Sequence, residues 1–282
     1  GAPDSRAAKR RRVGAQAEQG KPLRRKARDR SYGIGQCRRS LCRSAIYRRP
    51  ARLILLDIPV TATSWAPCYR IIPSRFPPVG LFDKVADPAD LEAVFLIEAM
   101  TNDRLRDEAG DLSLVPPEDR VAGPGTTPIM AAFTHLNTEG SRFTDGSFGV
   151  FYAGLTIETA IAETKHHRIN FLAATDEPAQ EIDMRVYAAD LTADLHDIRG
   201  HKDSHAHLYA PDSYAHSQGL AAELREAGSD GIRYRSVRHE GGECAAAFRP
   251  RLLANCRQER HLCYVWDGET IGTVYEKKNF EG

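Results

Sequence analysis

The stretch SRFTDGSFGVFYAGLTIETAIAETKHH, residues 141–167, runs from a loop through a strand into a helix. Phe148–Gly154 is rich in aromatic and β-branched residues, which predicts a strand. Thr156 stands where a helix needs an N-cap, and Ile157, Ala160, Ile161 and Thr164 then mark one helical face. Ala160, Glu163, Thr164 and His167 form a neighbouring stripe at three- and four-residue spacing. Glu163 and His167 therefore project together from the edge of the buried face. One short unit thus carries Arg142, Tyr152, Glu163 and His167, groups suited to a charged, flat ligand.

Working outward from this unit, the chain mixes strands and helices without regular βαβ alternation. Cys68–Pro78 reads as a short strand stopped by Pro73, then a turn. Asp87 caps a predicted helix with Pro88 at its first position, and Leu91, Val94 and Phe95 on its buried side. Leu114–Pro128 is a loop by its proline and glycine content, and Ile129–Leu136 a short helix. Downstream, Glu181–Leu191 alternates as a half-buried strand, Pro211–Gly228 reads as a helix, and Gly231–Arg238 and Cys244–Pro250 as strands. His261–Glu276 is a hairpin, with Asp267–Gly268 predicting a two-residue type I′ turn. The expected fold class is α+β, with a strand-rich C-terminal half.

Charge divides the chain. Residues 1–50 hold 16 Lys/Arg against 3 Asp/Glu, and the remainder holds 23 against 35, so a net charge of +1 hides parts of +13 and −12. Residues 1–51 are expected to be a basic, disordered leader, because so charged a segment cannot bury enough surface to offset its ordering entropy. The first methionine is Met100, in keeping with a leader outside the native fold. A nucleic-acid tail is the other reading, and it is weakened by the near absence of stacking aromatics. The six cysteines lack CxxC or Cys/His spacing, pointing to a reduced, cytoplasmic protein. The apolar run Leu53–Val60 is too short to span a bilayer. His201–His216 is histidine-rich but lacks a two-ligand spacing with a carboxylate, so a flexible loop is expected and no metal. Gly123–Thr127 lacks the lysine of a phosphate loop.

The chemistry gathers when Ser141–His167 is taken with Ser229–Pro250. An arginine fork gives a pyrophosphate bidentate, charge-assisted hydrogen bonds. A tyrosine offers its ring face to a base or pyridine. A carboxylate stabilises positive charge developing at an anomeric carbon. A serine fixes a carboxamide or ribose hydroxyl. Arg142, Tyr152, Glu163, His167, Ser236 and Arg238 therefore suit NAD, with its two phosphates, two riboses and flat cationic leaving group. Each has a plainer alternative: a surface arginine, a core tyrosine, a solvated glutamate, a structural histidine, a serine bonded to backbone, and for Arg238 a pairing with a carboxylate near the sheet edge.

Arg142, Tyr152 and Glu163 at spacings of ten and eleven, followed by Tyr234–Arg238 (YRSVR) with Ser236, resemble the RES-domain family, named for an arginine, a glutamate and a serine. Tyr69–Phe76 resembles the family's entry strand and adds Arg70 or Arg75. The similarity runs from Tyr69 to the C-terminus. It implies an ADP-ribosyltransferase-like split β core with peripheral helices in residues 52–282, departing from compact members by a helical insertion at about 83–137. It further implies a toxin that degrades NAD by phosphorolysis or hydrolysis, with NAD as substrate, inorganic phosphate as co-substrate and no cofactor. Glu163, Arg142 and Ser236 would be catalytic, and Arg70, Arg75, Tyr152, His167 and Arg238 would bind NAD. The implied partner is an Xre-type antitoxin, which would carry the contact with nucleic acid. The resemblance brings no membrane and leaves homo-oligomerisation open. Mono-ADP-ribosyl transfer to a host protein is the alternative activity.

Overall fold

The computed structural model describes residues 58–74, 82–85, 87–91, 93 and 110–278. Their main elements are β1 (Val60–Pro73), α1 (Thr127–Thr134), β2 (Phe151–Gly154), α2 (Ile157–Ala174), β3 (Gln180–Asp197), α3 (Ala215–Glu226), β4 (Gly231–Arg235), β5 (Glu243–Ala247), β6 (Leu253–Trp266) and β7 (Ile271–Lys277). Residues 1–57, and with them the basic leader and most of Leu53–Val60, lie outside the described residues.

The topology turns on β3. Along one edge it runs antiparallel to β1, from Val60↔His196 to Pro73↔Met184. Along the other edge it changes partner. Gln180 to Leu191 pair antiparallel with β6, while His196 and Asp197 pair in parallel with Ile232 and Arg233 of β4. One branch continues through β4–β5 and β5–β2, and returns to β1 at Tyr69↔Gly154. The other branch is the β6–β7 hairpin. The seven strands of the described residues therefore form a split, mixed sheet that shares β1 and β3, and the fold is α+β. This partner change is why both shared strands run well beyond the extents predicted for them.

Three apolar clusters fill the layers. Trp65, Met130, Phe133, Phe151, Leu191 and Leu195 belong to the first. Phe143, Phe148, Leu220, Leu224, Tyr234 and Phe248 belong to the second. The third joins Ile71, Met184, Val186, Tyr264 and Trp266 to Ala160 and Leu172 of α2. Phe151 and Tyr152 alternate to opposite sides of β2, so Phe151 faces the first cluster and Tyr152 packs on the second.

Local signals hold in part. Asp87 Oδ1 does accept from the Ala89 amide at 2.9 Å, opening a 3-10 turn at Pro88–Asp90. Residues 94–109, which carry the rest of that predicted helix, lie outside the described residues. The second helix of the expected insertion is α1, and its Ile129, Met130 and Phe133 are buried in the first cluster. It is part of the core. The predicted strand Phe148–Gly154 contracts to Phe151–Gly154. A Cβ on Gly149 would come 2.3 Å from Phe133 Cα, so the chain there packs backbone to backbone against α1. The C-terminal hairpin forms, but not with a two-residue turn. Asp267 Oδ1 accepts from the amides of Glu269 and Thr270, at 2.8 and 2.7 Å, and its own amide donates to Thr270 O. The aspartate satisfies a wider loop with its side chain.

Where β3, β4 and β5 meet, arginines surround two carboxylates. Arg199 Nη2 lies 2.6 Å from Asp197 Oδ2, and Arg199 Nη1 lies 2.7 Å from Glu243 Oε1. Arg233 Nη2 reaches Glu243 Oε2 at 2.7 Å. Burial works against both negative charges, but hydrogen bonds from these arginines outweigh it and hold both carboxyls below their ordinary range. A depressed carboxylate stabilises the fold above its ordinary pKa and loses that contribution as pH falls through the depressed value. Stability is therefore expected to fall as pH drops below about 4.5, the ordinary glutamate value. Urea midpoints measured from about pH 6 down to about pH 3 should show this, and Glu243→Gln should flatten the profile. Equal acid slopes in the two proteins would remove the cluster as its cause.

Candidate active site

The second cluster is also the floor of the predicted site. Tyr234 is buried on β4. Its ring meets Phe143 edge-on at 4.9 Å, and Phe143 stacks on Tyr152 at 6.5 Å. Burial raises the Tyr234 hydroxyl well above its usual value, with the Glu163 carboxylate adding to the rise and Arg142 opposing it. Residues far apart in sequence thus surround one aromatic ring.

Glu163 and Ser236 are in direct contact. Ser236 Oγ donates to Glu163 Oε1 at 2.6 Å, across 73 positions of sequence. Thr156 places the glutamate by capping α2, accepting from the Thr159 amide at 3.3 Å. Thr164 Oγ1 and the Tyr264 hydroxyl share a 2.7 Å hydrogen bond that ties the same helix to β6. Ser236 lies just past β4, where its Oγ accepts from the amides of Arg238 (3.1 Å) and His239 (2.9 Å). All of its hydrogen-bonding capacity is then committed, which fits a group that orients Glu163. Cys244 Sγ lies 4.0 Å from the same Oε1, and burial with the nearby carboxylate raises its thiol pKa. Among the described residues nothing hydrogen-bonds to Glu163 Oε2, so the carboxylate has one held oxygen and one free.

Arg142 is buried, at 7% exposure. Its Nη1 donates to Leu208 O at 3.2 Å and Ala210 O at 3.1 Å, and its guanidinium lies 4.8 Å from the Tyr214 ring centroid. Arg238 Nη2 donates to Pro211 O at 2.6 Å and stands 3.9 Å from Asp212 Oδ1. The histidine-rich stretch expected to be a flexible loop is therefore a strap of 3-10 turns, with Leu208 and Tyr209 buried. Composition concealed this because the contacts are made by backbone carbonyls. His201, His205, His207 and His216 follow one another at ring separations of 5.5, 5.7 and 4.9 Å. Among the described residues, no group of three or more His, Cys, Asp or Glu is arranged to hold a metal ion.

Tyr152 fastens the Arg142 loop from below. Its hydroxyl accepts from the Phe143 amide at 2.9 Å and shares a 2.7 Å hydrogen bond with Ser141 Oγ, bracketing the arginine. Burial pushes this phenol up to about 12. His167 is exposed one turn beyond Glu163; desolvation lowers its pKa, the charge of Glu163 opposes this, and His166, Arg238 and Arg142 add to it. Arg70 is placed differently. Its guanidinium lies over Phe151 at 4.8 Å and its Nη1 donates to Tyr152 O at 3.3 Å, so it occupies the first-cluster side of β2, away from the Tyr152 ring. Burial lowers its pKa to about 10, which leaves it cationic near neutrality. Arg75 lies outside the described residues.

Arg142, Tyr152, Glu163, Ser236, His167 and Arg238 are thus brought into one neighbourhood, whereas Arg70 backs it from behind. Sequence reading missed Tyr214, Tyr234, His239 and Cys244. Alternation along β4 and β5 could have placed Tyr234 and Cys244 on an interior face, but nothing local ties them to Glu163.

A model of the family described as RES domain matches residues 117–267. A Sinorhizobium fredii (strain NBRC 101917 / NGR234) protein described as uncharacterized protein y4oC is 31% identical over 207 residues, spanning 73% of this chain and 86% of that one. The crystal structure of the M. tuberculosis MbcT–MbcA toxin–antitoxin complex covers 74% of this chain and 87% of its own, at 11% identity and a TM-score of 0.36. That likeness is too distant to transfer fold or chemistry. Among the described residues no helix is long and apolar enough to cross a membrane.

Proposed function

This chain belongs to the RES-domain family, and on that premise we propose that it is a toxin-type enzyme that cleaves the nicotinamide–ribose bond of NAD. The observation that carries the reading is the 2.6 Å contact between Ser236 and Glu163, made beside the buried arginine loop. Nicotinamide leaves with the C1′–N bonding electrons, which neutralise its ring nitrogen. The sugar is left electron-poor at C1′, and an oxygen of inorganic phosphate, or of water that gives up a proton to solvent, completes the bond. Ser236 fixes one oxygen of Glu163 and leaves the other to face the developing positive charge. Arg142 keeps one nitrogen on the strap and has Nε and Nη2 for a phosphate, aided by Arg238. His167, exposed beside Glu163, adds a contact to phosphate. Arg70 supports β2 from the far side.

In this reading Tyr152 acts through its hydroxyl. A hydroxyl bound to both flanks of Arg142 orients the arginine, while the ring is already stacked on Phe143. Tyr152→Phe leaves the Phe143 amide without its partner and should cost about 1–3 kcal/mol of stability. It should raise the KM for NAD more than it lowers kcat. A KM unchanged by the substitution would return Tyr152 to a purely packing role.

In the cell, the activity calls for an antitoxin partner that blocks the site, and an Xre-type protein fits that part. The deciding experiment is incubation of the purified chain with NAD, with and without inorganic phosphate. Free nicotinamide is expected, and its dependence on phosphate separates phosphorolysis from hydrolysis. Labelled ADP-ribose retained on a macromolecule would assign transfer to a protein instead. Intact NAD under all conditions would overturn the proposal.

A further inference from the structure

The turn that carries Ser236 is fastened to α2 at a second point. The Ser236 amide donates to Gly242 O at 2.9 Å, and the Gly242 amide donates to His239 O at 3.0 Å. Within the turn, Ser236 Oγ accepts from the His239 amide while donating to Glu163. One helical turn before Glu163, Thr159 Oγ1 and His239 Nδ1 share a 2.9 Å hydrogen bond. Thr159 is completely buried, and its Oγ1 also lies 3.1 Å from Oγ1 of the helix cap Thr156. Thr159 and Glu163, four residues apart, stack on one face of the helix.

Gly242 shows how closely the turn is pressed onto this pair. A Cβ there would stand 2.8 Å from Thr159 Oγ1 and 2.9 Å from His239 Nδ1. A side chain would displace one or the other, so this close approach requires glycine. The turn therefore meets α2 at two rungs, Ser236 on Glu163 and His239 on Thr159, with His239 joined to both. Its ring makes the second rung, and its amide holds the hydroxyl that makes the first.

We propose that His239 is a positioning residue for Glu163: latched to Thr159, its ring fixes the turn so that Ser236 Oγ holds Glu163 Oε1 and leaves Oε2 to the substrate. The proposal rests on the reading of Glu163 as the group that supports the ribosyl cation. A hydroxyl can turn to donate or to accept, so the latch holds whether Nδ1 carries a proton or not.

The test is steady-state nicotinamide release by wild type, Thr159→Val, His239→Ala, His239→Asn and the Thr159→Val/His239→Ala double variant. Each of the first two substitutions should lower kcat about five- to tenfold at unchanged KM, the effect of one lost hydrogen bond. The double variant should be no slower than the slower single, because one latch is broken only once. Asparagine can place its amide near the Nδ1 position and should restore kcat to within about twofold. Full activity in His239→Ala, multiplying effects in the double variant, or a loss in His239→Asn as deep as in His239→Ala would overturn the latch. Amide hydrogen exchange at Arg238 and His239 gives a readout without chemistry. It should quicken about tenfold in Thr159→Val and His239→Ala, but not in His239→Asn. If wild type releases no nicotinamide, the functional reading fails and exchange alone decides: unchanged rates in Thr159→Val would sink the proposal.

Discussion

Glu163→Gln is expected to lower kcat for nicotinamide release by about 10²–10³-fold, the usual cost of removing a charge-stabilising group aimed at a transition state. The substitution is nearly isosteric. Its amide oxygen can still accept from Ser236 Oγ, which lies 2.6 Å from Oε1 in the native side chain. The turn after β4 and the capped start of α2 should therefore stay in place. What disappears is the negative charge on the free side of the carboxylate, whose benefit grows only as the ribosyl cation forms. KM should change little, and the urea midpoint should stay close to that of wild type. Ser236→Ala should be milder, about tenfold, because it loosens the carboxylate without discharging it. A Glu163→Gln protein that releases nicotinamide at the native rate would remove Glu163 from the chemistry.

Arg142 should give the other large effect, in a different pattern. Arg142→Ala leaves the carbonyls of Leu208 and Ala210 without their donor, and Tyr214 without the cation over its ring. A stability loss of about 2–4 kcal/mol is expected, together with a fall in kcat/KM of about 10³-fold. Arg142→Lys separates the two contributions. Lysine keeps the charge and can bond a strap carbonyl, so much of the stability should return. It lacks the planar fork that holds a strap carbonyl and a phosphate at once, so kcat/KM should remain about 10²-fold down. Most of that deficit should appear in KM, because the contact is made in the ground state as well. If Arg142→Lys matched wild type in kcat/KM, the guanidinium would be a structural tie for the strap and nothing more.

Much of this protein was legible from sequence wherever neighbours along the chain carry the signal. Thr156 announced a helix because a cap hydroxyl acts on an amide three residues away. The stripe of Ala160, Glu163 and Thr164 follows from the helical repeat, and the structure keeps it. Asp87, at a predicted helix start, and Asp267, at a predicted turn, both accept local amides, although Asp267 closes a wider loop than predicted. The Arg142, Tyr152, Glu163 and Ser236 pattern resembles the RES-domain family, to which the chain belongs.

Sequence alone thus determined the α+β class, the capped helix that presents Glu163, and the family to which the chain belongs, because propensity, periodicity and motif spacing are short-range properties. Tertiary structure alone decided that β3 changes partners and splits the sheet, that α1 belongs to the core, and that Arg70 lies behind β2 while a histidine-rich strap holds Arg142 and Arg238. It also decided which atoms meet. Ser236 finds Glu163 across 73 positions and His239 finds Thr159 across 80. Such contacts depend on how whole layers bury their apolar faces, and hydrogen bonds to backbone carbonyls leave no mark in the identity of the residue that supplies them.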